Sequence, residues 1–195
     1  MPDSAILAFG GKCRLQLERG EGGRCAVWLL CNPSTADASR DDPTVRRMRH
    51  FSARVNCPRF IVTNVWAWRA TDPADLWRAL AAGLYTPAMH SANLDAIAAA
   101  ASQADALFVA FGAEPWRKHP AAIEQAMRAA LSATPDWLVP DCLGVTADGA
   151  PLHPLARGKF AVRNDAPIFE WPGTMRYRGF NPTSDDADVR TQRAR

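Results

Sequence analysis

Asparagine, histidine and small hydroxyl residues recur just after short apolar runs in this 195-residue chain. Asn32-Pro33-Ser34-Thr35 follows CAVWLL, Asn64 closes FIVTN ahead of Trp66 and Trp68, and His153-Pro154 comes shortly after CLGV. Amides and a neutral imidazole both donate and accept hydrogen bonds. The set is polar but largely uncharged, which suits reading a heterocycle by its edge better than holding an ion. A second group is basic: Arg40, Arg46, Arg47, Arg49, Arg54 and Arg59 stand against only Asp41 and Asp42. Such a cluster attracts phosphate even when net charge is small, and is equally the composition of a solvated helix face. Arg157 and Lys159, just past His153, extend the basic set. Asp37, Asp41 and Asp42 are read first as caps of the following helix and second as a metal site or general base.

Other chemistries lack their residues. There is no G-x-G-x-x-G, no G-x-x-x-x-G-K-[ST], no G-x-S-x-G and no H-E-x-x-H. Dinucleotide, P-loop, serine-hydrolase and zinc-protease readings therefore have no support. The five cysteines include no C-x-x-C pair, which argues against a disulfide framework or a thiolate zinc site. No metal and no cofactor are expected.

The elements that must carry these residues can be read from periodicity. The runs Cys25–Leu30, Phe60–Val65, Ala106–Phe111 and Cys142–Val145 are continuous and β-rich, as in strands buried on both faces. Between them lie helical patterns at 44–55, 74–82, 87–101 and 120–132. Asp42-Pro43 and Asp72-Pro73 are start signals, a capping carboxylate followed by proline at the first helical position. Arg14–Glu18 alternates and is expected at a sheet edge. Alternating strands and helices predict a three-layer α/β/α fold with a small, mostly parallel sheet. Open sheets of that kind bind ligands beyond the carboxyl ends of their strands, where the polar segments lie. Residues 1–172 are expected to form one domain and 173–195 a surface tail.

Composition sets the outer bounds. Hydrophobic residues make up 48% and charged residues 22%, an ordinary globular balance. The net charge of +3 is mild. No apolar run approaches the roughly 18 residues of a membrane span, and the start MPDS is unlike a signal peptide. A cytoplasmic protein without membrane contacts is the expectation.

Across most of its length the chain resembles an uncharacterised bacterial and phage family known only as a domain of unknown function (DUF1643-like). The resemblance rests on LLCNPSTADASRDDPTVRR, VTNVWAWRATDP, AFG and LGVTADGAPLHPLARGK. More distantly, the layout resembles the uracil–DNA glycosylase superfamily. Those enzymes place a small parallel sheet between helices, with an Asp-Pro or Asn-Pro loop after the first strand. Some end the second strand in asparagine, and a His-Pro or Asn-Pro loop follows the last strand.

That resemblance implies roles for residues of this chain. Asn32 positions the attacking water, Asn64 reads the base edge, and His153 hydrogen-bonds the base as negative charge moves onto it. Ser34, Thr35 and Lys159, with Arg46 and Arg47, are the implied phosphate or DNA contacts. Arg157 lies where a wedge fills the hole left by a flipped nucleotide. The chain also departs from the superfamily. Ser34 and Thr35 replace the tyrosine and histidine of the best-known uracil enzymes, and Leu155 replaces a serine after His-Pro. No aromatic residue stands between Pro33 and Arg49, leaving Phe51, Trp66 or Trp68 to stack on the base. The implied function is hydrolysis of the N-glycosidic bond of a flipped modified or mispaired base, with DNA and a nucleobase or nucleotide as partners. A nucleoside or nucleotide N-glycosidic hydrolase or transferase, or a binding module without chemistry, shares the same base-reading residues.

Overall fold

A computed structural model describes residues 3–34, 36 and 41–177. Seven strands make one sheet: β1 Ser4–Ala8, β2 Cys13–Arg19, β3 Cys25–Leu30, β4 Arg59–Asn64, β5 Ala106–Val109, β6 Asp141–Cys142 and β7 Phe169–Glu170. Their spatial order is β1-β2-β4-β3-β5-β6-β7. The pairs β3–β4, β3–β5 and β5–β6 are parallel. The pairs β1–β2, β2–β4 and β6–β7 are antiparallel. The sheet is therefore mixed, and the expectation of a mostly parallel sheet holds only for its four middle strands. The stretch around Arg14–Glu18 is not an edge either, because β1 closes the sheet outside it.

Among the described residues, five α-helices cover the sheet: α1 Pro43–Arg54, α2 Pro73–Ala81, α3 Pro87–Ala101, α4 Ala113–Lys118 and α5 Pro120–Ala133. Their starts are chemical. Asp42 accepts the Val45 backbone N–H at 2.9 Å, Asp72 that of Ala74 at 2.9 Å and Thr86 that of Met89 at 3.3 Å. Each cap is followed by a proline whose missing N–H has no partner to lose at that position.

Two apolar layers result from the alternation of side chains along the strands. Ala26, Trp28 and Leu30 of β3, with Phe60 and Val62 of β4, pack under Val45, Met48 and Phe51 of α1. Trp28 stacks on Phe108 with ring centroids 4.1 Å apart, and its indole N–H donates to Ser52 Oγ at 2.9 Å. The opposite parity, Val27, Leu29 and Ile61, meets Ile97 of α3 and Ile123 and Met127 of α5. Of the tail expected from residue 173, residues 173–176 complete a 3-10 turn from Pro172 with Thr174 buried. Residues 178–195 lie outside the described residues. No helix among the described residues is long and apolar enough to cross a membrane.

Candidate functional site: a small polar cavity at the carboxyl edge of the sheet

Strand register puts the two asparagines on one face. Leu30 pairs with Asn64 across β3 and β4, and Asn32 lies two residues beyond Leu30, with the same parity. The chain keeps the two strand ends together after the ladder. Val65 N–H donates to Leu30 O at 2.9 Å and Trp66 N–H to Cys31 O at 3.0 Å. From the other face, α3 supplies buried Asn93, whose Nδ2 donates to the carbonyls of Asn64 (2.9 Å) and Val65 (3.1 Å). The end of β4 is thus held by side chain as well as by sheet.

His153 arrives by a turn. The chain leaves β6, bridges Val145 to Pro151 and folds back over Thr146–Gly149. Leu152 N–H donates to Gly144 O at 2.8 Å. Gly144 sits at φ 145°, and a Cβ there would stand 2.7 Å from the Leu152 side chain, so this return requires glycine. Asp148 fastens the turn to α4 through two hydrogen bonds from Arg117, at 2.7 and 2.8 Å.

These elements enclose a cavity of about 220 Å³. Asn32, Ser34, Asn64 and His153 all line it, joined by Arg14 and Asp42. Its apolar walls include Leu30, Val62, Val45 and Met48. Ligand sites for drug-sized molecules run to about 300–1,000 Å³, so this one accommodates something the size of a single heterocycle.

The polar groups are poised differently. Asn64 is 1% exposed, yet neither Oδ1 nor Nδ2 has a hydrogen-bond partner. Buried amides are almost always paired, and an unpaired one costs about 1–3 kcal/mol, which sets this one apart. Asn32 is anchored: its Nδ2 donates to Pro33 O at 3.1 Å and Ala70 O at 2.9 Å, while Oδ1 accepts no hydrogen bond among the described residues. His153 Nδ1 accepts the Leu155 N–H at 3.1 Å, which leaves the proton on Nε2. Burial pushes this imidazole down to about 4, against a smaller upward pull from Asp42, so it is neutral at ordinary pH. Arg14, 3% exposed, donates from Nη1 to Ala36 O at 2.7 Å and ties the loop after β3 to β2.

Other residues named from the sequence lie elsewhere. Phe51 is buried in the layer under α1, with the Arg47 and Arg54 guanidinium groups 5.1 and 5.4 Å from its ring centre. Trp66 packs on the opposite face, edge-on to Trp77 at 5.3 Å and to His119 at 5.2 Å. Neither lines the cavity: the alternation of β4 ends at Asn64, after which Val65 and Trp66 both enter the layer of α2, α3 and α5, and the α1 periodicity sends Phe51 inward. Arg47 donates to Asn164 Oδ1 and Val162 O, and Arg54 to the carbonyls of Asn164 and Ala166. Arg49 pairs with Asp41 at 3.1 Å, and Arg46 donates to Asp41 O at 3.2 Å. Arg157 and Lys159 are exposed on the loop beyond His153. Thr35 lies outside the described residues.

Sequence reasoning missed Arg14 as a cavity residue, and it placed Asp42 mainly as a cap. The signal for Asp42 was its position at the end of the polar segment that begins at Asn32; for Arg14, a charged residue at the start of an alternating strand. A larger hollow of about 1160 Å³ lies beside α5, with Gln125, Arg128, Trp171 and Tyr177 in its wall. Gln125 is engaged by His90 and Arg128 by Glu124, so it offers no comparable set of poised groups. Among the described residues no three His, Cys, Asp or Glu side chains are grouped to hold a metal.

Fold and cavity together define a layered α/β protein with a ligand-sized polar site at the carboxyl ends of two adjacent parallel strands. The chain belongs to the family described as Protein of unknown function (DUF1643), which it matches over residues 14–155. That span takes in every residue lining the cavity, from Arg14 to His153. No curated protein and no solved structure matches the chain.

Proposed function

We propose that the cavity receives a single nucleobase and that the chain hydrolyses its N-glycosidic bond, in the manner of the uracil–DNA glycosylase superfamily. The observation that carries this reading is Asn64: a fully buried amide with donor and acceptor both unpaired, facing a cavity sized for one heterocycle. An amide pair matches the adjacent donor and acceptor on a base edge. A neutral His153 with its proton on Nε2 donates to a base oxygen without giving the proton up. Its interaction strengthens as the leaving base gains negative charge, which is how a fixed donor lowers a barrier. Asn32 Oδ1, its amide locked by two carbonyls, accepts from a water and orients it toward the sugar carbon.

Single-turnover release from oligonucleotides carrying uracil, hydroxymethyluracil, thymine opposite guanine, or hypoxanthine tests this. Base release is expected from the native chain. His153→Ala should lower the rate about 10²–10³-fold while leaving binding nearly unchanged. If the native chain frees no base from oligonucleotides or nucleosides, the hydrolase reading is wrong, and retained affinity for a free base would leave a binding module.

One observation favours the nucleoside or nucleotide reading over DNA. Arg47, Arg49 and Arg54 are hydrogen-bonded within the chain, which leaves fewer side chains of α1 for a phosphate backbone. Parallel assays on free nucleosides separate the two substrates.

A further inference from the structure

We infer that Asp42 is the general base of this site, an assignment that rests on the glycosidic-bond reading above. Asn32 cannot fill that role, because an amide takes up no proton near neutral pH. Asp42 lines the same cavity as Asn32, Asn64 and His153. Its two oxygens have different partners. Oδ1 accepts the Val45 N–H at 2.9 Å and caps α1, while Oδ2 accepts no hydrogen bond among the described residues. The cap fixes the carboxylate on the rigid first turn of a twelve-residue helix, so the free oxygen is held in place rather than swinging on a loop. Its charge reaches His153, whose imidazole it pulls toward protonation. Asp42 and His153 thus line one cavity.

The neighbouring acid does not compete. Asp41 is engaged by Arg19 at 2.7 Å and Arg49 at 3.1 Å, which tie both of its oxygens. Among the described residues, Asp42 is thus the carboxylate in the cavity's walls with an oxygen to spare.

The C1′–N bond breaks and its electron pair moves onto the base nitrogen, with His153 Nε2–H hydrogen-bonded to the base oxygen. Water, oriented by Asn32 Oδ1, bonds to C1′ and loses one proton to Asp42 Oδ2. That proton passes through solvent to the departing base anion, which returns Asp42 to its carboxylate. No oxidant, reductant or co-reactant beyond water is consumed.

Asp42→Asn is the discriminating variant, because asparagine caps a helix about as well as aspartate and keeps the side-chain shape. It should retain the native melting temperature and affinity for a free base, and lose about 10²–10⁴-fold in single-turnover release. Asp42→Ser, which also caps, should behave alike and stands in if Asp42→Asn fails to fold. Formate added to Asp42→Ala should restore part of the lost rate by supplying a mobile carboxylate. Release by Asp42→Asn within about threefold of the native rate would overturn the assignment while leaving the glycosidic reading standing. A native chain that releases no base would overturn both.

Discussion

Asn64 costs the fold stability. Its amide sits at 1% exposure with no partner on either atom. A leucine in its place fills similar space and removes the unpaired groups. Asn64→Leu is therefore expected to stabilise the protein by about 1 kcal/mol and to abolish base binding. Urea denaturation and a free-base titration on the same variant measure the two effects. A destabilised variant would show that the amide is satisfied in solution. His153 is different in kind: its tautomer is set by one backbone N–H two residues on, so its contribution depends on the shape of its own loop.

At the scale of elements, α1 serves two sides. Its apolar stripe of Val45, Met48 and Phe51 is core, and Met48 and Val45 also wall the cavity. Its outer face was expected to meet phosphate. Instead Arg47, Arg54 and His50 reach residues 162–166 and hold that segment over the helix. Arg47→Ala with Arg54→Ala should lower stability by about 1 kcal/mol, since charge-assisted hydrogen bonds at a partly exposed site are lost. The pair should change the salt dependence of duplex binding little. Exposed Arg46 and Arg157 are the better candidates for phosphate contact, and alanine at either should reduce the log–log salt slope by about 1. A slope that follows Arg47 and Arg54 instead would mean that these pins open when DNA binds.

At the scale of the whole molecule, two partly buried groups link folding to pH with opposite signs. His153 lies at about 4 when folded, against an ordinary value of 6.5, because burial disfavours its charge. Between those values the unfolded chain binds a proton that the folded chain refuses, so stability falls as pH drops from about 6.5 to about 4. Asp141, at the β6–β7 edge, is raised from 3.8 to about 6 by burial, with Glu170 adding to the rise. There the folded chain holds the extra proton, so its contribution is full at low pH and lost as pH rises through about 6. The two oppose each other over the interval they share. His153→Asn removes only the first. Urea midpoints at several pH values should show the native chain losing ground to the variant on acidification. Parallel curves would mean that the imidazole is not buried in solution.

Local signals in the sequence determined the starts of four helices and the cores of four strands. Asp-Pro pairs and unbroken apolar runs act within a few residues and need no distant partner. The placement of Asn32, Asn64 and His153 after such runs likewise pointed to one edge of the sheet. Tertiary structure alone decided which face they share, because that depends on pairing Leu30 with Asn64 across 34 residues of chain. It also sent Trp66 to the opposite layer, where the strand alternation stops after Asn64, and buried Phe51 in the layer under α1. It brought Arg14 in from β2, found distant partners for Arg47, and closed both sheet margins, with the two-residue β7 at one and with β1, whose short apolar run Ala5–Ala8 was not read as a strand, at the other. The two roles of Asp42 divide along the same line. Its cap is a contact three residues away and was legible, whereas its free oxygen has meaning only in the cavity that strands and loops from across the chain assemble around it.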